Sequence, residues 1–152
     1  MIHDSLIIRV ASRLCALDVN HVDEILRPPA VERLVETPSF IRGASIVRGL
    51  PTPIVDLLEF LTGEKLASPR RAVTVKLDGG RRAALLVSDV IGVRTLDSAL
   101  LGDMPPLLNE AAPDAIRTLG RLDDQLLTVL RLGRLVPDGV WDLLSAPPGA
   151  RR

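Results

Sequence analysis

The side chains of this 152-residue chain that could carry out covalent or acid–base chemistry show no spacing typical of a reactive cluster. His3 and His21 lie far apart without a neighbouring metal-ligand pattern. The serines have no Gly-x-Ser-x-Gly setting, and the pair Gly79-Gly80 lacks the Lys-Ser/Thr sequence of a phosphate-binding loop. The sequence therefore predicts no catalytic residue, no metal site and no cofactor.

The paired carboxylates and the single cysteine also have plain interpretations. Asp23-Glu24 and Asp123-Asp124 are sequence neighbours, and adjacent side chains do not converge on one point as a general acid and base must. Cys15 lies in an apolar run, so we expect a buried small side chain, and one cysteine cannot form an internal disulfide. An enzyme is therefore the least favoured class of function.

Charge and composition disfavour nucleic acid as a partner. The chain has 19 basic and 19 acidic residues, and they are interspersed rather than gathered into a basic stripe. Aromatic residues make up only 2%, too few to stack bases along a single strand. A small barrel that binds nucleic acid remains an alternative, and a salt-dependent titration with DNA or RNA would test it.

Membrane insertion is not expected either. No apolar run approaches the ~18 residues that a membrane-spanning helix needs. The N-terminus lacks the basic and apolar regions of a signal peptide. We expect a soluble, cytoplasmic protein.

The elements that must position any binding surface are mostly short strands. Asn20 is predicted to cap a helix that runs to about Leu26, and Asp56 to cap a second helix that stops at Gly63. The apolar segment around Trp141 is predicted to form a short helix that packs back on the strands, and an exposed docking element is the alternative. Strands are predicted at 5–10, 14–19, 41–47, 53–55, 72–77, 81–87 and 92–96. The segments 116–122 and 125–130 and a short segment at 131–136 are predicted to close the fold.

Short strands at this spacing are typical of small barrels, and the order of elements repeats weakly along the chain. We predict one domain at 1–144 with two lobes, at about 5–66 and 70–136, and leave strand exchange between the lobes open. The segment 100–114 reads as a loop, and 145–152 is expected to be a disordered tail. The junction of two barrels would form a cleft, where partners often dock.

The most strongly patterned stretch is 37–57, which contains Thr-Pro-Ser-Phe-Ile-Arg-Gly and then Val-Arg-Gly-x-x-x-Pro-Ile-Val-Asp-Leu. It has no reactive side chain, so it indicates a surface that a partner binds. Supporting motifs are Ala-Leu-Asp-Val-x-x-Val-x-Glu-Ile at 16–25 and Leu-Val-x-Asp-Val at 86–90. In this order and spacing the motifs resemble the CheW family, the coupling proteins of bacterial chemosensory arrays, over about 6–136.

The resemblance implies an all-β fold with short helices, in which two SH3-like five-stranded β-barrels share a hydrophobic core. It also implies a non-catalytic adaptor that holds a CheA-type histidine kinase to the cytoplasmic tips of chemoreceptors, the methyl-accepting chemotaxis proteins. Such a scaffold would be recruited to receptor clusters of a two-component system, with other CheW-like proteins as further partners.

The resemblance also assigns residues to each partner, and it pairs Glu24 with Arg48 as side chains expected to lie close together. Ordinary core packing is the alternative for Val22 and Ile91, and a corner arginine that bonds Glu24 and loop carbonyls is the alternative for Arg48. The receptor-binding residues implied are Val22, Arg48, Gly49 and Ile91. The kinase-binding residues implied are Glu24, Ile41, Arg42 and Gly43.

Two departures from the family pattern motivate a second candidate function. Pro51 adds a second proline to the Arg-Gly loop, and Arg131 stands where relatives usually carry Asp or Asn. The alternative is a divergent coupler that binds receptor but not kinase in another chemosensory system.

Overall fold

The computed structural model describes residues 2–97, 102–103, 116–122, 125–133 and 135–145. These residues form mostly strands, with two short α-helices, which confirms the predicted fold class. The strands are β1 (Ile2–Val10), β2 (Arg13–Asp18), β3 (Val22–Leu26), β4 (Ile41–Val47), β5 (Leu50–Asp56), β6 (Arg71–Lys76), β7 (Arg82–Val87), β8 (Asp89–Asp97), β9 (Gly102–Asp103), β10 (Ile116–Leu122) and β11 (Gln125–Leu130). The helices are α1 (Leu57–Thr62) and α2 (Asp138–Ser145).

The strands form two sheets. One has six strands in the order β8-β1-β2-β11-β10-β9, and the other has five in the order β3-β6-β7-β5-β4. Each contains one parallel pair, β2 with β11 and β5 with β7, among antiparallel neighbours. Neither sheet corresponds to one half of the chain, because β1 and β2 join late strands while β6 and β7 join β3 to β5. Over the described residues neither sheet closes on itself, but the arrangement fits an SH3-like fold.

The larger sheet has six strands rather than the predicted five because the two-residue strand β9 adds to its edge. The predicted loop at 100–114 lies outside the described residues except at Gly102–Asp103, which form a strand rather than a loop. The predicted tail at 145–152 also lies outside them except for Ser145, which is the last residue of α2. Neither helix in the described part of the chain is long and apolar enough to cross a membrane.

A shared hydrophobic core joins the two sheets, as predicted. The main cluster of buried side chains includes Ile8 and Leu17 of the larger sheet, Val73 and Leu85 of the smaller one, and Leu57 of α1. The opposite face of each sheet covers a smaller cluster of its own. Since both faces are covered, neighbouring residues of central strands such as β6 and β7 are buried together, whereas the edge strands β3 and β8 largely alternate between half-buried and exposed positions.

The helix predicted from Asn20 is wrong. Residues 19–21 form one 3-10 turn, and Val22–Leu26 is strand β3. Asp18, rather than Asn20, caps the turn by accepting the Asn20 N–H at 2.9 Å. The apolar residues of β3 fit a pleated, half-buried surface, and β6 supplies the backbone partners that a helix would have supplied locally.

The helix predicted at Asp56 is confirmed at both ends. The Asp56 carboxylate accepts the Glu59 N–H at 3.1 Å, which satisfies a backbone donor of the first turn. Gly63 ends the helix in the left-handed region at φ 83°, and its N–H donates to the Glu59 carbonyl at 2.8 Å. The cap fixes where β5 turns into α1.

The C-terminal helix α2 packs back on the sheets, as predicted. Val140 is 2% exposed and Leu144 is 7% exposed, and both join the main core cluster. Ahead of the helix, the Gly133 carbonyl accepts the Asp78 N–H at 3.1 Å, which ties this segment to the turn between β6 and β7. The half-buried Trp141 is thereby held against the five-stranded sheet.

Candidate functional site

Arg48 and Gly49 form the two-residue turn between β4 and β5. Their φ angles are 52° and 79°, both positive, as a type I′ hairpin turn requires. Gly49 adopts this conformation without strain, whereas a side chain as large as that of Arg48 does so at a cost. A strained residue of this kind points to a role for its side chain.

The Arg48 side chain bonds Glu24 through two parallel hydrogen bonds. Nε donates to Oε2 at 2.9 Å and Nη2 donates to Oε1 at 2.7 Å. This hydrogen-bonded guanidinium lowers the pKa of the Glu24 carboxyl below its ordinary value. The expected closeness of Glu24 and Arg48 is therefore confirmed, and the pair links the β4–β5 turn to β3 at the opposite edge of the same sheet.

Arg48 is also open to solvent. Its side chain is 70% exposed, while that of Glu24 is 25% exposed. Thr74 fixes the backbone under Glu24, since its hydroxyl accepts the Glu24 N–H at 2.9 Å and donates to the Glu24 carbonyl at 3.2 Å. Arg48 thus links the β4–β5 turn to β3, and its guanidinium still faces solvent, where a partner could bind it.

A groove of about 370 Å³ lies beside this corner. It runs between the β4–β5 turn, the start of β7 and helix α2. Buried Thr52 and Thr74 contribute hydroxyls, and half-buried Trp141 contributes an aromatic wall. The lining residues are Asp23, Glu24, Val47, Arg48, Leu50, Pro51, Thr52, Thr74, Gly80, Arg81, Arg82 and Trp141.

The other two residues of the predicted receptor set lie on edge strands of different sheets. Val22 of β3 is half-buried and packs against the main core, so ordinary packing accounts for part of its surface. Ile91 of β8 is 48% exposed, and its neighbour Val90 packs against the same core. Neither Val22 nor Ile91 lines the groove beside Arg48.

The predicted kinase set is largely turned inward. Ile41 is 4% exposed, and Gly43 is buried at φ 147°. A side chain at Gly43 would clash with the backbone oxygen of Glu32. That close approach lets Glu32 and Ala44 exchange two backbone hydrogen bonds of 2.8 Å each. Ile41 and Gly43 therefore shape this surface without offering side chains to a partner.

Arg42 points into the protein and neutralises a buried carboxylate. Its Nη2 donates to Asp56 Oδ2 at 2.7 Å and to the Leu66 carbonyl at 2.5 Å, and Nε donates to Oδ2 at 3.2 Å. Asp56 is fully buried, and it also accepts the Leu66 N–H at 2.9 Å and the Glu59 N–H. This network ties β4 to α1 and to the segment that follows it.

Sequence reasoning found Arg48, Glu24 and the Asp56 cap, but it missed two features. It did not join Arg42 to Asp56, although the two opposite charges lie at the start and just past the end of two consecutive predicted strands, at 41–47 and 53–55, and were a usable signal. It also did not bring Trp141 to the Arg48 corner, because the two are far apart in sequence and no local pattern links them.

The described residues contain no group of three or more His, Cys, Asp or Glu side chains placed to hold a metal. Burial raises the pKa of the Cys15 thiol to about 12, so it stays protonated at neutral pH. What the site offers is an exposed guanidinium beside an apolar groove.

Comparisons with known proteins agree on one family. A family model described as CheW-like domain matches residues 4–139. Protein FrzA of Myxococcus xanthus is 35% identical over 107 residues, which cover 70% of this chain and 66% of FrzA. Chemotaxis protein CheW of Klebsiella aerogenes is 26% identical over 132 residues, which cover 86% and 80% of the two chains. The crystal structure of the scaffolding protein TtCheW from Thermoanaerobacter tengcongensis matches with a TM-score of 0.79 at 25% identity, over 89% of this chain and 88% of that one.

Proposed function

The chain belongs to the CheW-like domain family, a family of non-catalytic adaptors in chemotaxis signalling, and we propose that it couples chemoreceptors to a CheA-type histidine kinase. One surface would bind the helical hairpin at the cytoplasmic tip of a receptor, and another would bind the regulatory domain of the kinase. The protein would work in the cytoplasm, at receptor clusters.

The observation that carries the receptor half is the geometry of Arg48. Arg48 has a positive φ angle, a backbone conformation that is energetically unfavourable for a residue with a large side chain. Its side chain is hydrogen-bonded to Glu24 and remains 70% exposed to solvent. A guanidinium held in this way is pre-organised to bind a carboxylate of a partner. We assign Val22, Gly49 and Ile91 to the same receptor surface.

The kinase half rests on the face that Arg42 and Gly43 support. Val31, Leu34, Ser39, Glu59 and Lys65 are among the residues around a depression of about 490 Å³ there. Ile41 and Arg42 also line this depression, so these inward-turned residues hold the surface in shape. We assign Ile41, Arg42 and Gly43 to this kinase surface, where they act through the backbone that they position. Glu24, the fourth residue of the predicted kinase set, lies instead beside Arg48 and lines the other groove.

The mechanism we infer is bivalent scaffolding. Receptor and kinase bound to one adaptor are held at a high effective concentration of each other, so individually weak contacts suffice to maintain an assembly. A signal would pass only if the receptor makes different contacts in its two states, because equal affinity for both shifts no equilibrium.

Two binding measurements test the proposal: the purified protein against a receptor signalling-tip fragment, and against the kinase regulatory domain, each by calorimetry. We expect binding to both. Arg48→Ala should abolish receptor binding while leaving the protein folded. Arg13→Ala, which removes an exposed arginine of the six-stranded sheet, should bind the receptor normally. A folded Arg48→Ala variant with unchanged receptor affinity would contradict the assignment.

Val22→Asp separates core from interface at the second receptor position. An unfolded variant would mean that Val22 is ordinary core. A folded variant that fails to bind the receptor fragment would place Val22 in the interface, and its circular dichroism spectrum distinguishes the two cases.

The receptor-only alternative has one observation in its favour. Ile41 and Gly43 are buried, so this chain offers few side chains of the predicted kinase set to a partner. Pro51 and the exposed Arg131 depart from the family pattern, and these departures also favour a coupler that binds receptor but not kinase. Binding to the receptor fragment but not to the regulatory domain would establish this alternative.

A further inference from the structure

We propose that the groove beside Arg48 takes an acidic, amphipathic face of the receptor hairpin, with Trp141 and Leu50 as its apolar anchors. The inference rests on the proposed receptor binding at Arg48 and extends that surface onto helix α2. Trp141, Leu50 and Arg81 then become determinants of receptor binding, although none of them belongs to the set expected from the resemblance.

The apolar part of the groove is exposed and rigid. Leu50 is 56% exposed on the β4–β5 turn, and Trp141 faces the groove from α2. Val140 and Leu144 on either side of Trp141 in the helix are buried in the main core, so the indole is held in place. A fixed tryptophan beside an exposed leucine is the kind of apolar anchor that dominates binding energy in protein interfaces.

The charged rim of the groove presents arginines outward. Arg48 is 70% exposed against 25% for its partner Glu24, and Arg82 is 44% exposed against 27% for Asp23 at 3.3 Å. In these two pairs the carboxylate is the sheltered member, so the outward charge beside the β4–β5 turn is positive. The third pair is reversed, because Asp138 is 97% exposed against 49% for Arg81, and the positive part of the rim is therefore the part at Arg48 and Arg82. This favours carboxylates on the partner.

Arg81 joins the rim to the aromatic wall. Its guanidinium lies 5.1 Å from the centre of the Trp141 ring and 3.5 Å from the Asp138 carboxylate, one helical turn before Trp141. The stacked guanidinium is 49% exposed, so a carboxylate of a partner can bond it beside the ring. An apolar side chain on the indole and an acidic side chain on Arg81 would fit together.

The choice of the receptor as occupant follows from continuity. Arg48 lines the groove and also belongs to the proposed receptor surface, so a hairpin seated on Arg48 meets the groove without a second binding event. An amphipathic helix with apolar and acidic residues on one face satisfies both parts of the lining.

The chain offers a direct test because Trp141 is its only tryptophan and it has no tyrosine. A receptor signalling-tip fragment without tryptophan is titrated into the full-length protein, and emission is followed alongside calorimetry. We expect a change in emission intensity or wavelength that saturates with the calorimetric isotherm. Leu50→Ser and Arg81→Glu should each weaken binding at least about tenfold.

Ile46→Ser is the matched control. Ile46 is 64% exposed on the same hairpin but lies outside the groove, so its substitution should change affinity by less than about twofold. Circular dichroism confirms that each variant is folded.

Each remaining outcome contradicts the inference in a recognisable way. If the receptor fragment binds while folded Leu50→Ser and Arg81→Glu retain wild-type affinity, the groove is not the docking site, and the proposed function survives. If only the kinase regulatory domain changes the emission, the occupant is the kinase. If the wild-type protein shows no calorimetric binding to the receptor fragment, the inference and the proposed receptor binding both fail.

Discussion

The Arg42–Asp56 pair gives the sharpest prediction about how the fold supports its surfaces. Asp56 is fully buried and Arg42 is 21% exposed, so the Arg42→Ala variant leaves a buried carboxylate without its counter-charge. Breaking a buried pair from one side costs roughly 3–5 kcal/mol. Asp56 keeps the N–H groups of Glu59 and Leu66, so we expect the lower end, about 3 kcal/mol.

Urea unfolding followed by circular dichroism measures this loss directly. A loss of about 3 kcal/mol is a large part of the roughly 5–15 kcal/mol that stabilises a domain. The surface variant Arg71→Ala should change the unfolding free energy by less than about 0.5 kcal/mol. The double variant Arg42→Met/Asp56→Asn, which removes both charges, should lose less than the sum of the single variants.

A loss below about 1 kcal/mol for Arg42→Ala, with an unchanged denaturant slope, would refute the reasoning, because a buried unpaired carboxylate cannot be so inexpensive. The result also bears on kinase binding. If Arg42 acts by supporting the surface, Arg42→Lys should recover part of both the stability and the kinase affinity, since it restores the charge but not the two-nitrogen contact.

Three further predictions follow from local geometry. Gly43→Ala should lower the unfolding free energy, measured in urea, several times as much as Gly49→Ala does. A Cβ at Gly43 would clash with the backbone of Glu32, whereas a Cβ at Gly49 would lie in open space, so equal losses would contradict the close approach at Gly43. The Glu24 carboxyl, titrated by NMR, should have a pKa below its ordinary value in the wild type and a higher one in Arg48→Ala. Because the folded-state pKa is the lower one, the bond stabilises the protein fully above the ordinary pKa and is lost as the pH falls through the folded-state pKa; an identical pKa in both proteins would contradict this. Cys15 should resist a thiol reagent at pH 8 until the protein unfolds, because burial raises its pKa to about 12, and rapid labelling of the folded protein would contradict its burial.

Local elements were predictable where the signal is local. The strand Ile41–Val47, the cap at Asp56 and the stop at Gly63 follow from side-chain periodicity and backbone preference within a few residues. The prediction of a helix from Asn20 was wrong because the deciding interaction there is not local. A short apolar run fits either element, and pairing with β6, far along the chain, decided between them.

Strand partners that are far apart in sequence were not predictable from the same signals. The parallel pairs of β2 with β11 and of β5 with β7 join segments whose own patterns say only that they are strands. Among the site residues, the pairing of Arg48 with Glu24 was predicted only because the family resemblance implied it. The approach of Trp141 to Arg48 depends on how α2 packs across the sheet, which no local pattern encodes.

The measurement that tests the central claim most directly is co-sedimentation of the kinase with receptor assemblies, with and without this protein. The coupling account predicts that the kinase pellets with receptors only when the adaptor is present, and that Arg48→Ala releases adaptor and kinase together. Kinase that pellets equally without the adaptor, or an adaptor that pellets while the kinase stays in solution, would contradict the claim that this chain couples the two.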